Sequence, residues 1–282
     1  MEYHRSQNAL SYALKQVKES PLSLNFTLMY LYKSEKKAIF VEKILCKDTI
    51  LPKRMTKQEA LELQTELIAM LSEKEKAKVL ECMRTRNLAK NEIIYKEGDT
   101  PQDLLCLIKG KVKIFIDGVG GRCQIVRVID EIEYFGYRAA FSGEKFLTSA
   151  AALEPSRLIC IPLTVVRSLL EENARLAWFF LHKLAVALGK SDERTVNLTQ
   201  KHICARLADS ILYLRDRYGL ETDGCTLRIQ MSRDDMASLS NMTTNNAIRT
   251  LSLLAKDKVV AINGRNIKIL DEEKLKRISK MG

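Results

Sequence analysis

Glycine is absent from the first 97 residues of this 282-residue chain, and five of its twelve glycines then fall between Gly98 and Gly121. A chain that reverses often needs residues that tolerate positive φ, so this burst points to short strands joined by tight turns. The runs around it fit. Glu92-Ile93-Ile94-Tyr95, Leu104-Leu105-Cys106-Leu107-Ile108, Lys111-Val112-Lys113-Ile114-Phe115-Ile116 and Gln124-Ile125-Val126-Arg127-Val128-Ile129 are short and rich in β-formers. Strands in such succession predict an antiparallel barrel or jelly roll over residues 91–162. The glycine-free part reads differently. Residues 1–54 hold ten Lys/Arg and five Asp/Glu around Pro21 and Pro52, a basic extension of undefined role. In residues 55–86, Leu61, Ile68, Leu71 and Val79 recur among charges. Thr56/Glu59 and Ser72/Glu75 have capping-box spacing there, so two amphipathic helices are expected.

A long helix should follow the roll. Asn173 is a good N-cap, and the sequence runs from it to about Gln200 with one glycine and no proline. Ala177, Leu181, Leu184, Leu188, Ser191, Thr195 and Leu198 are spaced 4-3-4-3-4-3, the seam of a two-helix coiled coil. Phe179, Phe180 and Ala187 lie off that seam and are expected against the roll, with His182 packed beside Trp178.

The last stretch, residues 201–282, reads as helix, short strand, two helices, hairpin and helix. Residues 203–218 are amphipathic through Leu207, Ile211 and Leu214, and residues 225–230 look strand-like. In residues 232–254, Ser232 opens one short helix, and Ala237 is small enough for a second helix to cross closely. Asn241 stands where the turn requires a left-handed backbone. Thr243 caps the second helix, whose inner face carries Ala247, Leu251 and Leu254. This is helix-turn-helix spacing. Val259-Val260-Ala261-Ile262, the Asn263-Gly264 turn and Ile267-Lys268-Ile269-Leu270 form a hairpin that supplies a wing.

Composition narrows the classes. With 46% hydrophobic and 29% charged residues the chain is globular, neither disordered nor collagen-like, and long enough for two or three domains. Its longest uncharged stretches have 13 residues each, too short to span a bilayer, and no secretory signal is evident. A cytoplasmic protein without membrane attachment is expected. Seven cysteines without a C-x-x-C pair argue against a disulfide framework, a zinc ribbon or an iron–sulfur cluster. The net charge of +11 favours an anionic partner, although +5 of it lies on residues 1–54 and +5 on residues 198–282.

A glycine-punctuated roll, a long pairing helix and a winged helix-turn-helix, in that order, resemble the cyclic-AMP receptor protein and fumarate–nitrate reduction regulator (Crp/Fnr) family. The anchors are Tyr95-Lys96-Glu97-Gly98-Asp99, residues 107–113, Phe135-Gly136, residues 140–144 and residues 232–251. The resemblance covers about residues 66–282. It implies an α+β chain: helical lead-in and β-roll sensor over residues 55–170, dimerisation helix over 171–200, winged DNA-binding domain over 201–282. It implies a homodimeric transcription regulator, no enzyme, that binds a palindromic operator in double-stranded DNA and works with RNA polymerase. Thr244, Asn245, Ile248 and Arg249 would then face the bases. Arg249 matches the family's recognition arginine and can bond guanine O6/N7 bidentately. Asn245 stands where well-known members carry Glu, so adenine replaces cytosine as its natural partner. Lys201, Arg206, Arg233, Thr243, Arg265 and Lys268 are the candidate phosphate contacts.

The candidate effector pocket comprises Gly136, Tyr137, Arg138, Phe146, Leu147, Ser191 and Asp192, and here the chain departs from the family. Cyclic-nucleotide binders follow Phe-Gly with Glu for the ribose and, about ten residues on, place an Arg before Ser/Thr-Ala for the phosphate. This chain has Phe135-Gly136-Tyr137-Arg138 and then Phe146-Leu147-Thr148. A buried phosphate without its arginine is an uncompensated charge, so cyclic AMP in the usual mode is not expected. The effector is unknown. An iron–sulfur cluster lacks its cysteines, while haem held through Cys106 or Cys123 stays open. Two other readings compete: a dimeric sensor or scaffold that no longer binds DNA, and a cupin-type metalloenzyme, which residues 90–162 oppose by lacking histidine.

Overall fold

The computed structural model describes residues 66–118 and 122–281. The chain enters through α1 (Glu66–Ala69) and α2 (Glu73–Cys82). The Ser72/Glu75 capping box closes α2: the Ser72 hydroxyl accepts from the Glu75 N–H while the Glu75 carboxylate accepts from the Ser72 N–H. Thr56 and Glu59 lie outside the described residues. The helix pattern expected to reach residue 86 stops at Cys82, and Arg84–Leu88 becomes strand β1. Pairing decides this, because β1 lies antiparallel to β8 (Ser156–Pro162) over five residue pairs.

Between them run β2 (Ile93–Tyr95), β3 (Asp103–Lys109), β4 (Val112–Asp117), β5 (Cys123–Ile129), β6 (Glu133–Phe135), the short helix α3 (Tyr137–Ser142) and β7 (Ser149–Ala152). They build two four-stranded antiparallel sheets, ordered β1-β8-β3-β6 and β2-β7-β4-β5. Gly110 joins β3 to β4 at φ 95°, and a Cβ there would sit 2.4 Å from Ser156 Oγ, so only glycine fits.

Strand alternation divides the side chains among three cores. Leu105, Leu107, Phe135, Leu158, Val112, Ile114, Ile129 and Ala150 meet inside the roll. The opposite face of the first sheet, through Leu104, Cys106, Tyr134, Ile159 and Ile161, is covered by α1, α2, α4 (Leu163–Glu172) and the start of α5 (Ala174–Gln200). The opposite face of the second sheet, through Phe115, Ile125, Val128, Ala151 and Leu153, is continuous with the core of the C-terminal helices. Much of each sheet is thus covered on both faces, which explains the near-continuous apolar runs in β3 and β5.

The C-terminal part comprises α6 (Ile203–Tyr218), α7 (Arg233–Leu239), α8 (Thr244–Lys256), β9 (Val260–Asn263), β10 (Asn266–Ile269) and α9 (Glu272–Ser279). The strand expected over residues 225–230 is reduced to isolated bridges, Leu220 with Leu227 and Thr226 with Lys268. Asp223 takes over the local hydrogen bonding, accepting from the Cys225 and Thr226 N–H groups.

Candidate nucleic-acid interface

Local caps set the angle between α7 and α8. Ser232 Oγ accepts from the Asp235 N–H at 3.0 Å and donates to the Asp235 carboxylate at 2.6 Å. Asn241 turns the chain at φ 51°, and the Thr243 hydroxyl accepts from the Asn246 N–H to open α8. Such caps contribute roughly 1 kcal/mol each. Met236, Ala237, Leu239, Ala247, Leu251 and Leu254 are buried between the helices. That packing leaves Asn245, Ile248 and Arg249 exposed on one side of α8.

The remaining expected DNA contacts differ in their freedom. The Thr244 hydroxyl donates to Asp234 at 2.7 Å, tying the first turns of α7 and α8 together. Lys201 pairs with Asp209 at 2.5 Å and Lys268 with Asp223 at 3.1 Å. Hydrogen bonds and this ammonium hold the Asp223 carboxylate far below the usual range. Arg206 donates to Asn241 O at 2.9 Å and so braces the helix-turn-helix turn. Arg233 donates to Gly264 O at 2.9 Å and holds the wing tip, next to exposed Arg265.

The roll does not gather the seven residues expected to line its pocket. Phe146 lies inside it, stacked on Tyr95 with ring centroids 3.7 Å apart. Its ring edge comes 3.5 Å from where a Gly136 Cβ would be, so the aromatic pair fills the space beside that glycine. Tyr137 faces the helices instead, packed on Phe141 and Phe180. Arg138 is exposed and paired with Glu144 at 3.1 Å, and Leu147 points to solvent. Ser191 and Asp192 are exposed on α5. Among the described residues, no three His, Cys, Asp or Glu side chains gather to hold a metal ion.

On α5, Phe180 is buried among Tyr134, Tyr137 and Phe141, with Phe179 beside it. Leu184 also packs against that cluster, and Ala177 is half-buried. The open face is turned slightly from the expected seam: Trp178 (71% exposed), Leu181, Ala185, Leu188 (65%), Asp192 and Thr195. Trp178 and His182, four residues apart on α5, are both exposed in the single chain. Among the described residues no helix is long and apolar enough to cross a membrane.

Sequence relationships agree with this layout. Residues 85–173 match the cyclic nucleotide-binding domain and residues 205–278 the Crp-like helix-turn-helix domain. The chain is 23% identical over 186 residues to the CRP-like cAMP-activated global transcriptional regulator of Mycobacterium tuberculosis, covering 65% of this chain and 83% of that protein. It is 25% identical over 183 residues to the global nitrogen regulator of a Nostoc species, covering 64% and 82%. FixK2 from Bradyrhizobium japonicum shares the fold with a TM-score of 0.64 at 20% identity, over 71% of this chain and 98% of that one. A Crp/Fnr-family transcriptional regulator from Thermus thermophilus does so with a TM-score of 0.58 at 20% identity, over 70% and 98%.

Proposed function

Because this chain belongs to the Crp/Fnr family of transcription regulators, we propose that it acts in the cytoplasm as a homodimer reading a palindromic operator. Each α8 would lie in the major groove of one half-site, with the two half-sites about one helical turn apart. The observation that carries this reading is the exposed Asn245–Ile248–Arg249 face on a helix whose other side is fully buried. Arg249 and Arg265 have no intramolecular partner among the described residues, so both are available to an anionic ligand. Arg249 would read guanine and Arg265 would hold a phosphate beside the wing. One face of α5 supports dimerisation: six positions at heptad spacing, among them Trp178, Leu181 and Leu188, each more than half exposed, are what a second copy would cover. RNA polymerase is the partner such a regulator would contact.

The roll is read as a sensor domain that does not take cyclic AMP in the usual mode. The Tyr95–Phe146 stack beside Gly136 and the outward Arg138–Glu144 pair support this. Selection of promoter fragments with purified protein, repeated with Arg249→Ala, tests the DNA reading. The wild type should enrich a palindrome, and the variant should lose discrimination at one base pair per half-site, about 1–3 kcal/mol. No enriched palindrome, or an unchanged one with the variant, contradicts it.

A further inference from the structure

Two residues, Lys201 and His202, connect α5 to the winged unit, and both are extended (φ −89°, ψ 143° and φ −65°, ψ 160°). A joint this short still leaves four backbone torsions, so the orientation of the winged unit depends on the apolar core it shares with the roll and on side chains that bridge across. Some tie it to the roll. Tyr213 Oη accepts from the Val128 N–H at 3.4 Å, Tyr218 Oη donates to Ile129 O at 3.1 Å, and Lys113 pairs with Asp235 at 2.6 Å. These bonds do not involve α5, the helix on which the dimer would pair.

Arg194 joins all three bodies. In β5, Arg127 pairs with Ile114 and Ile125 with Phe115, so Val126 is the extra residue of a bulge. β5 is also an edge strand of its sheet. A bulge on an edge leaves carbonyls outside the ladder, and buried carbonyls need donors. Arg194, projecting from α5, donates Nη1 to Val126 O at 3.0 Å and Nη2 to Ile125 O at 2.5 Å. Nη2 also donates to Leu239 O at 3.1 Å. Leu239 ends α7, where the helix dipole is negative and the chain turns into α8. Burial pulls the guanidinium below the ordinary arginine pKa, and its Nε is buried without a hydrogen-bond partner. A planar cation held by oriented backbone carbonyls, with no mobile carboxylate, gives a directional contact.

We propose that Arg194 is the positioning residue that fixes the angle of each DNA-reading head to the dimer helix, and so sets the half-site spacing that the dimer accepts. This rests on the homodimeric DNA-binding function proposed above. Each base pair added between half-sites moves them apart by roughly 3.4 Å and a tenth of a turn, which a rigid pair of heads resists.

The test is fluorescence anisotropy on duplexes carrying the selected half-site twice, with the spacing lengthened or shortened by one or two base pairs, and on a single half-site. Wild type, Arg194→Ala and Arg194→Lys are compared as full chains. Wild-type affinity should fall about tenfold per step away from the best spacing. Arg194→Ala should vary less than about threefold across the set while keeping the single half-site affinity, because α8 is untouched. An Arg194→Ala profile as steep as the wild type overturns the assignment, as does equal weakening on every duplex. Should the alanine variant lose its cooperative melt, Arg194→Lys carries the test: it keeps the charge but reaches one carbonyl at a time. An intermediate profile for the lysine variant supports the proposal, and a wild-type profile overturns it. A wild type that prefers no duplex removes the DNA-binding reading and this proposal together.

Discussion

Lys201, Arg206, Arg233 and Lys268 each hold a protein partner in the free chain, whereas Arg249 and Arg265 hold none among the described residues. The engaged cations brace the turn, the wing and the helix junction, and any phosphate must compete with those bonds. If α8 reads the bases as proposed, Asn245 is the residue that should separate this operator from those read by glutamate-bearing relatives. An amide pairs with adenine N6/N7 and a carboxylate accepts from cytosine N4. Asn245→Glu is therefore expected to switch one position per half-site from A·T to C·G, by ~1–3 kcal/mol, measured by repeating the fragment selection. The exposed face of α8 was legible from the spacing of Ala247, Leu251 and Leu254 alone. The involvement of Asp234 was not, because Thr244 reaches it across the α7–α8 crossing, ten residues back.

The long helix shows how one element serves two surfaces. Its first half buries Leu176 and Phe180 against the roll and exposes Trp178, Leu181 and Leu188 on another side. A 4-3 spacing finds both apolar sides but cannot assign them, which is why Leu184 reads as seam in sequence yet packs on the roll. Leu188→Glu should weaken dimerisation by ~2 kcal/mol per copy without disturbing the monomer fold. Sedimentation at a series of concentrations, with circular dichroism as control, measures this. In β5 the corresponding unreadable feature is the bulge at Val126: the residues are ordinary strand formers, and only pairing with β4 shows that one of them is extra.

At the scale of the whole molecule, the outer face of the second sheet is largely covered. Phe115, Ile125 and Val128 belong to the same cluster as Leu207, Ile211 and Met236, so roll and winged unit share apolar burial. The buried cysteines report on the roll. Burial pushes the Cys106 thiol up to about 12 and the Cys160 thiol to about 11, from 9.0, and Tyr95 from 10.0 to about 12. Above pH 9 the unfolded chain loses these protons while the folded chain keeps them, so unfolding stability falls with rising pH. Their contribution is complete below pH 9 and lost as the pH climbs towards 12. Thermal melts from neutral to alkaline pH should show that decline. Cys106→Ala should lower the midpoint at every pH, by the cavity it leaves, yet flatten the alkaline slope.

The sequence alone was enough for the order of parts, the strands around the glycines, the cap at Asn173, the helix-turn-helix with its left-handed Asn241, and the departure from the cyclic-nucleotide pattern. All of these are local: they depend on φ preferences, periodicity and side chains within a few positions of one another. Tertiary structure decided the rest. Arg84–Leu88 became a strand because β8 was there to pair with it. Tyr137 left the expected pocket for the helical cluster, while Phe146 filled the roll beside Gly136. Arg194, unremarkable among 46 Lys and Arg, became the bridge between three bodies. Its partners are backbone carbonyls 45 to 69 residues away, and a carbonyl carries no side-chain signature that a sequence can display.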